Sequence, residues 1–262
     1  PGVVIRTTTG PGHATALARE AKEAGAAQVV ACGGDGTVFE VVNGLLPGPG
    51  PVLGILPVGT GNSFVRDLGL ADERAAVAAI RAGTTRQIDA MRIVHADGEL
   101  FSVNLLSLGF SADAGAMTNR RFKPLGAAGY VAAVLASLVR LRHHAFPYAI
   151  DDGLFDARPG LLLSVCNSRY TGGAMMMAPF ADPTDGQLDV VRIGSMRRRR
   201  FLMAFPMIFQ GTHLELPEVR STRGRSVAFA DVGPVPVMID GEVRTLALRS
   251  VAVVRRALEV SA

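Results

Sequence analysis

The chain has 262 residues, of which 48% are hydrophobic and 19% charged, with a formal net charge of +4. That length can bury one large core or two modest ones, and the composition excludes a disordered chain or a small disulfide-stapled scaffold. The two cysteines, Cys32 and Cys166, lie in apolar runs without C-x-x-C spacing, so both are expected to be buried reduced thiols. Mild basicity suits an anionic partner, whether nucleotide, acidic lipid surface or nucleic acid, without choosing among them. The first residues lack the basic segment and apolar run of a secretory leader. The most apolar stretch, 125–139, is shorter than the roughly 20 residues of a spanning helix. It is followed by Arg140, Arg142, His143 and His144, so a core helix or a lid beside a lipid-sized pocket is expected there.

The first ninety residues alternate strand and helix signals. Residues 3–6 form a short β-branched run. Residues 13–25 read as a helix with Ala14, Leu17, Ala18, Ala21 and Ala24 on one face and Gly25 as its stop. Residues 28–32 read as a buried strand ending in Gly33-Gly34-Asp35-Gly36. A helix is expected over 37–46, a strand over 52–56, a second glycine turn over 57–62, and a helix over 71–82 ended by Gly83. This rhythm predicts a Rossmann-like parallel sheet with helices on its faces. The chain opens inside that rhythm, at Pro1, as if the first strand of such a domain were missing. A fragment is therefore expected.

From about residue 87 the texture changes. Strand-like runs fall at 87–95, 99–108, 146–151, 161–167, 187–193, 225–231, 235–240 and 250–255, with helical patterns over 125–142 and 198–210. They predict a second domain, a mainly antiparallel β-sandwich. The division expected is 1–90 for the α/β domain, 91–240 for the β-rich domain, and 241–262 for a segment returning to the first.

The loop Gly33 to Thr37 follows an apolar strand and precedes a helix, where backbone N–H groups and a helix N-terminus form an anion site. Asp35 there would repel phosphate unless a cation lies between, which implies Mg²⁺. Thr37 can offer its hydroxyl to phosphate and cap the helix. A tight turn with an Asx-type bond is the plainer alternative. The second loop, Gly59-Thr60-Gly61-Asn62-Ser63, also follows a strand, and the two would wall one crevice at the strands' carboxyl ends. Neither loop is a Walker A or a dinucleotide fingerprint. Asp240-Gly241-Glu242 ends another strand, as a solvated turn or as a catalytic carboxylate.

The runs CGGDGTVFEVVNGLL and LGILPVGTGNSFVRDLG, followed by QIDAMRI, FSVNLLSLGFSAD, FADPTDGQLDVV and VMIDGEV, resemble the diacylglycerol kinase catalytic-domain family, with its bacterial lipid kinase and sphingosine kinase relatives. The resemblance spans essentially the whole chain in family order. It implies an ATP- and Mg²⁺-dependent lipid kinase acting on a hydroxyl of diacylglycerol or a related lipid, with ATP between the two domains and the lipid in the second. A sphingoid-base kinase, a lipid-binding module without catalysis and an NAD-kinase-like metabolite kinase are the alternatives.

What the resemblance implies falls on particular residues. Gly33, Gly34, Asp35, Gly36 and Thr37 match the nucleotide loop, and Glu40 and Asn43 the helix behind it. Gly59, Thr60, Gly61 and Asn62 match the second nucleotide loop, and Thr8 a further nucleotide-contacting threonine. Asp35 and Asp89 match carboxylates of the Mg²⁺ network. Asp185, with the carbonyls of Asp182 and Gln187, matches a structural metal site, although a plain acidic turn serves as well. Glu242 matches the general base of bacterial diacylglycerol kinases, with Asp240 beside it. In sphingosine kinases Asp35 would take that role.

The chain departs from the family pattern at Ser63, where many bacterial members carry Asp, and Asp67 would fall on a helix rather than the loop.

Arg197 to Arg200 precede Phe201, Leu202, Met203, Phe205, Met207, Ile208 and Phe209. Such a pattern suits peripheral contact with an anionic membrane surface, or else a helix whose apolar face packs inward. Arginine at a helix N-terminus opposes the helix dipole, so the run serves something other than helix stability. A nucleic-acid partner is not expected, because the run is isolated and stacking aromatics are few. A cytoplasmic protein, peripheral at the inner membrane face, is expected, and a homodimer is compatible with the resemblance.

Overall fold

The computed structural model describes residues 2–70, 72–117 and 141–262. The pattern at 125–142 lies almost wholly outside them. The first layer alternates helix and strand. Helix α1 (His13–Glu23) ends in a Schellman motif: Ala24 is the cap, Gly25 is left-handed at φ 72°, Ala26 N–H donates to Ala21 and Gly25 N–H to Lys22. Strand β1 (Gln28–Gly33) runs parallel to β2 (Val52–Pro57), with Gly33 opposite Pro57. Helix α2 (Asp35–Leu45) starts two residues earlier than the pattern predicts. A short helix α3 (Ser63–Asp67) follows the second glycine turn. Helix α4 (Glu73–Ala82) is capped by Asp72, whose carboxylate accepts the Ala75 N–H at 2.8 Å, and it stops at Gly83.

Strand β3 (Thr85–His95) pairs with β4 (Gly98–Ser102). The predicted single run over 99–108 is thus two strands: β4, and β5 (Leu105–Gly109) in a different sheet. The break falls at Val103-Asn104, because the chain crosses there from one layer to the other. Helix α5 (Phe110–Met117) follows. The remaining strands are β6 (Tyr148–Ile150), β7 (Gly160–Cys166), β8 (Tyr170–Thr171), β9 (Met175–Met176), β10 (Leu188–Gly194), β11 (Val219–Gly224), β12 (Ser226–Phe229), β13 (Val235–Ile239), β14 (Glu242–Leu246) and β15 (Leu248–Ser261). Helix α6 (Arg198–Ala204) gives way at Pro206 to a 3₁₀ turn, Phe205–Phe209, and a second one spans Thr212–Glu215. The single helix expected over 198–210 is therefore two pieces, since proline cannot donate within a continuing helix.

One sheet runs β1-β2-β15-β12-β6, with β3 and β4 attached through β15. The other is antiparallel in the order β11-β10-β7-β5-β13-β14. The fold class is the expected one: a parallel α/β layer joined to an antiparallel sandwich. Strand β15 links the layers. It pairs antiparallel with β3 along most of its length, and Val260 pairs parallel with Leu53 of β2.

Side-chain alternation explains the layers. On β5, Leu106 and Leu108 enter the space between the sheets, while Leu105 faces away beneath α6. On β7, Leu163 and Val165 face inward and Leu162 and Cys166 outward. Both faces are covered, so β7 reads as an unbroken buried run rather than an alternating one. Helix α2 serves two cores: Val38, Val41, Val42 and Leu45 pack under the parallel strands, and Phe39 packs into the sandwich.

Two expectations fail on exposure. Residues 3–6 are not a strand; Val3, Val4 and Ile5 are 91%, 75% and 86% exposed and pair with no strand among the described residues. β-Branching favours a half-buried pleated surface, and none is offered to them. Cys32 is exposed while Cys166 is buried, because β1 is an edge strand with only one face covered.

Helices α1 and α2 touch closely. A Cβ on Gly44 would lie 2.4 Å from the Thr15 carbonyl oxygen and 2.7 Å from Ala18 Cβ. Replacing a mid-helix glycine by alanine normally gains about 1 kcal/mol. Here backbone must move, and overpacking of this kind costs about 1–3 kcal/mol. Gly44→Ala is therefore expected to melt below the wild type in a thermal scan; a higher melting temperature would contradict this packing.

Candidate functional site

The two glycine loops lie at the carboxyl ends of β1 and β2 and touch backbone to backbone. A Cβ on Gly59 would sit 2.3 Å from Gly34 Cα, so a side chain there would drive the loops apart. Gly34 is the N-cap of α2 and makes no side-chain cap. The first-turn N–H groups of Asp35 and Gly36 have no partner within the helix. The expected capping role of Thr37 does not hold: its side chain folds back over Gly33, where a Cβ would lie 2.3 Å from Thr37 Oγ1.

Asp35 does not make an Asx turn in its own loop. Its Oδ1 accepts the Ser63 N–H at 2.8 Å, across the crevice, and a Cβ on Gly61 would come within 2.9 Å of its Oδ2. Burial raises the Asp35 carboxyl above the ordinary range, and the Ser63 and Phe64 N–H groups pull it back part of the way. Ser63 is itself buried, and its Oγ accepts the Gly173 N–H at 3.0 Å. Asn62 is left-handed at φ 48° and donates to the carbonyls of Pro57 and Gly59, which holds the second loop in shape. A groove of ≈ 640 Å³ opens beside it, lined by Thr60, Gly61, Asn62 and Arg66 among others. That is ample for a nucleotide-sized ligand.

The Asp240-Gly241-Glu242 segment is a two-residue hairpin between β13 and β14. Asp240 and Gly241 both have positive φ, 48° and 89°, and Ile239 pairs with Glu242. This is the type I′ geometry, which places a compact Asp-Gly at the tip. The two carboxylates then part company. Glu242 is exposed, and its Oε1 would be 3.0 Å from a Cβ on Gly36, at the first turn of α2. Asp240 is 4% exposed; its Oδ1 accepts Ser102 Oγ–H at 2.7 Å and Leu105 N–H at 3.0 Å. Burial raises its carboxyl to about 7 against these hydrogen bonds, with the charge of Asp35 adding to the rise. A solvated turn thus describes Glu242 but not Asp240.

Other residues singled out in the sequence serve elsewhere. Glu40 accepts the N–H groups of Gly12 and Ala14 at 2.7 and 3.0 Å, so it caps α1 and fixes the turn before it. Asn43 bonds both backbone groups of Phe101, tying α2 to β4. Thr8 is on the exposed stretch before α1 and is not in the groove wall. Asp89 is 1% exposed, and its two oxygens accept N–H groups of Gly186 and Arg256 at 2.7 Å each. It anchors the 182–187 loop to the bulge of β15. Within that loop Asp182 accepts from Thr184, and Asp185 accepts the Gln187 N–H and pairs with Arg223. Among the described residues no three acidic, histidine or cysteine side chains gather as a metal cage. Asp67 is on α3 and is occupied by Arg169 at 2.6 Å. Ser102, the β8–β9 hairpin glycine Gly173, and Arg169 were not legible as site residues, since each meets its partner across more than a hundred positions.

Two paired glycine loops at parallel strand ends thus face carboxylates carried by an antiparallel layer. Residues 2–93 match the diacylglycerol kinase catalytic domain, and residues 104–262 match the YegS C-terminal NAD kinase beta sandwich-like domain. The chain is 34% identical over 261 residues to a diacylglycerol kinase of Mycobacterium tuberculosis, spanning 98% of this chain and 84% of that protein. It is 31% identical over 239 residues to a diacylglycerol kinase of Bacillus subtilis, spanning 90% and 77%. A probable lipid kinase YegS-like of Pseudomonas aeruginosa is 35% identical over 190 residues, 72% of this chain and 61% of that protein. A crystal structure from Bacillus anthracis superposes with a TM-score of 0.80 at 22% identity, over 97% of this chain and 82% of that one, which shows the shared fold. The chain belongs to the diacylglycerol kinase catalytic-domain family of lipid kinases.

Asp240 sets a pH dependence. An unfolded aspartate titrates near ~3.9, whereas the folded one holds its proton to about 7. Between those values the native state binds the extra proton, so stability falls as pH rises. Urea unfolding across pH 4–8 should show the wild type losing stability relative to Asp240→Asn from about pH 4 to about 7, then levelling. Parallel curves for the two proteins would refute the assignment.

Proposed function

We propose that the chain transfers the γ-phosphoryl group of ATP to a hydroxyl of diacylglycerol or a related lipid. The observation that carries the reading is the approach of the Glu242 carboxylate to Gly36, at the unpaired N–H end of α2. The helix end and the Gly34–Gly59 contact make a Cβ-free anion cradle, and Thr60, Gly61 and Asn62 wall the adjoining groove. Glu242 is exposed beside Gly36, where its carboxylate takes the proton from the attacking lipid hydroxyl. The oxygen then bonds to phosphorus as the bond to the ADP oxygen breaks. Asp35 is held by Ser63 and faces the cradle, while Asp240 supports the hairpin that carries Glu242.

The donor set fits Mg²⁺. The charge of Asp35 reaches Asp240 and raises its carboxyl, a repulsion that a divalent cation relieves. When bound with the nucleotide, Mg²⁺ supplies neutralisation of the phosphate charge.

An assay of ADP release on a panel of diacylglycerols, sphingoid bases and related lipids tests the reading; no turnover with any of them would defeat it. Glu242→Gln should lower kcat by about 10²–10⁴-fold with the melting temperature unchanged. If Glu242→Gln is silent and Asp35→Asn is not, the base is Asp35.

A further inference from the structure

Helix α6 divides its residues sharply. Phe201 and Ala204, with Ile208 of the following turn, are buried against a narrow apolar cavity of ≈ 50 Å³. On the opposite side Leu202, Met203 and Phe209 are 49%, 69% and 42% exposed. Three large apolar side chains therefore stand exposed around one short helical corner. The inward-packing alternative for this segment is satisfied by Phe201, Ala204 and Ile208, and among the described residues it leaves the outer set exposed.

Charge is equally asymmetric. Arg197, Arg198 and Arg199 are exposed, and among the described residues none pairs with a carboxylate. Arg200 is different: it pairs with Glu218 at 3.1 Å. Three cations at the N-terminal end of a helix oppose its dipole, so they do not stabilise α6. Cations bordering exposed Leu, Met and Phe suit the anionic headgroup and upper acyl region of a bilayer, not a neutral or basic surface. We propose that this corner, Arg197 to Arg199 with Leu202, Met203 and Phe209, docks the protein on an anionic lipid bilayer. The proposal rests on the lipid-kinase reading only for the reason a bilayer is visited.

The corner is also joined to the phosphate site by contact. The cavity behind α6 is lined in part by Thr171 and Met175 of the β8–β9 hairpin. The tip of that hairpin donates Gly173 N–H to Ser63, and Ser63 N–H holds Asp35. A docked bilayer therefore lies against the element whose other side leads to the reacting carboxylates.

Sedimentation with vesicles tests this without any kinase assay. Wild type should bind vesicles of phosphatidylcholine mixed with phosphatidylglycerol, bind phosphatidylcholine alone much less, and lose binding as salt is raised. Replacing Arg197, Arg198 and Arg199 together by Gln should weaken binding to the anionic vesicles on the order of 100-fold. Replacing them by Lys should restore most of it, since the attraction is to charge rather than guanidinium geometry. Leu202→Ser with Met203→Ser should weaken binding at fixed charge. Melting temperature is expected to be unchanged in the Arg variants, because those side chains are exposed. Equal binding of wild type to both vesicle types, or undiminished binding by the Gln variant, would overturn the proposal. So would a dimer that the Gln variant dissolves with no change in vesicle binding, which would make the corner a contact between copies. Phosphorylation of a short-chain, water-soluble diacylglycerol, measured separately, reports on the kinase reading; it should be unaffected by the Arg replacements.

Discussion

The whole site is built on one backbone contact, Gly34 against Gly59. Parallel pairing of β1 and β2 brings Gly33 opposite Pro57, so two loops leave the sheet side by side at the same end. Without Cβ atoms they can close on each other, and Asp35 can then reach the Ser63 N–H in the neighbouring loop. A carboxylate fixed in this way sits at a helix N-terminus, where its charge is partly balanced by the helix dipole. Any side chain at position 59 would separate the loops and free Asp35 from Ser63 together.

The second layer has to bring Glu242 to that cradle, and buried polar anchors set its placement. Asp89 holds the 182–187 loop and the β15 bulge through backbone N–H groups, and Asp240 holds the crossing between β4 and β5 through Ser102 and Leu105. Each of these carboxylates is almost inaccessible to solvent, so each would be costly if unpaired. Their partners are donors at specific positions, three backbone N–H groups and the Ser102 hydroxyl, which no shifted packing of the layers would supply. Asp89 is thereby a positioning group in a segment whose motif resembles a metal ligand's. The same chemistry, a carboxylate seeking donors, is met here by N–H groups.

The periodic part of this fold was legible in the sequence. Alternating helix and strand patterns fix the α/β layer, and Gly25 and Gly83 mark helix ends by local chemistry. What was not legible depended on distant partners. Residues 3–6 have strand composition but no neighbouring strand among the described residues, and Cys32 lies on an edge strand whose exposure only the sheet order reveals. Strands β11 and β14 are rich in Arg, Thr and Ser, so propensity alone passes over them; their partners β10 and β13 make them strands. Of the candidate site, the two glycine loops and the Asp-Gly-Glu hairpin could be read because their backbone geometry is local. The division of labour between Asp240 and Glu242 could not, since it turns on Ser102, 138 positions away.

That division has a physical logic. In a two-residue I′ hairpin the first tip residue and the residue after the tip differ in direction, so neighbouring carboxylates can meet opposite environments. Asp240 points into the layer, where desolvation keeps its proton on to about pH 7 and its hydrogen bonds lock the turn. Glu242 starts the outgoing strand and remains in water beside Gly36. The hairpin thus leaves one carboxylate exposed beside Gly36 and uses the other as structure, with burial deciding which is which.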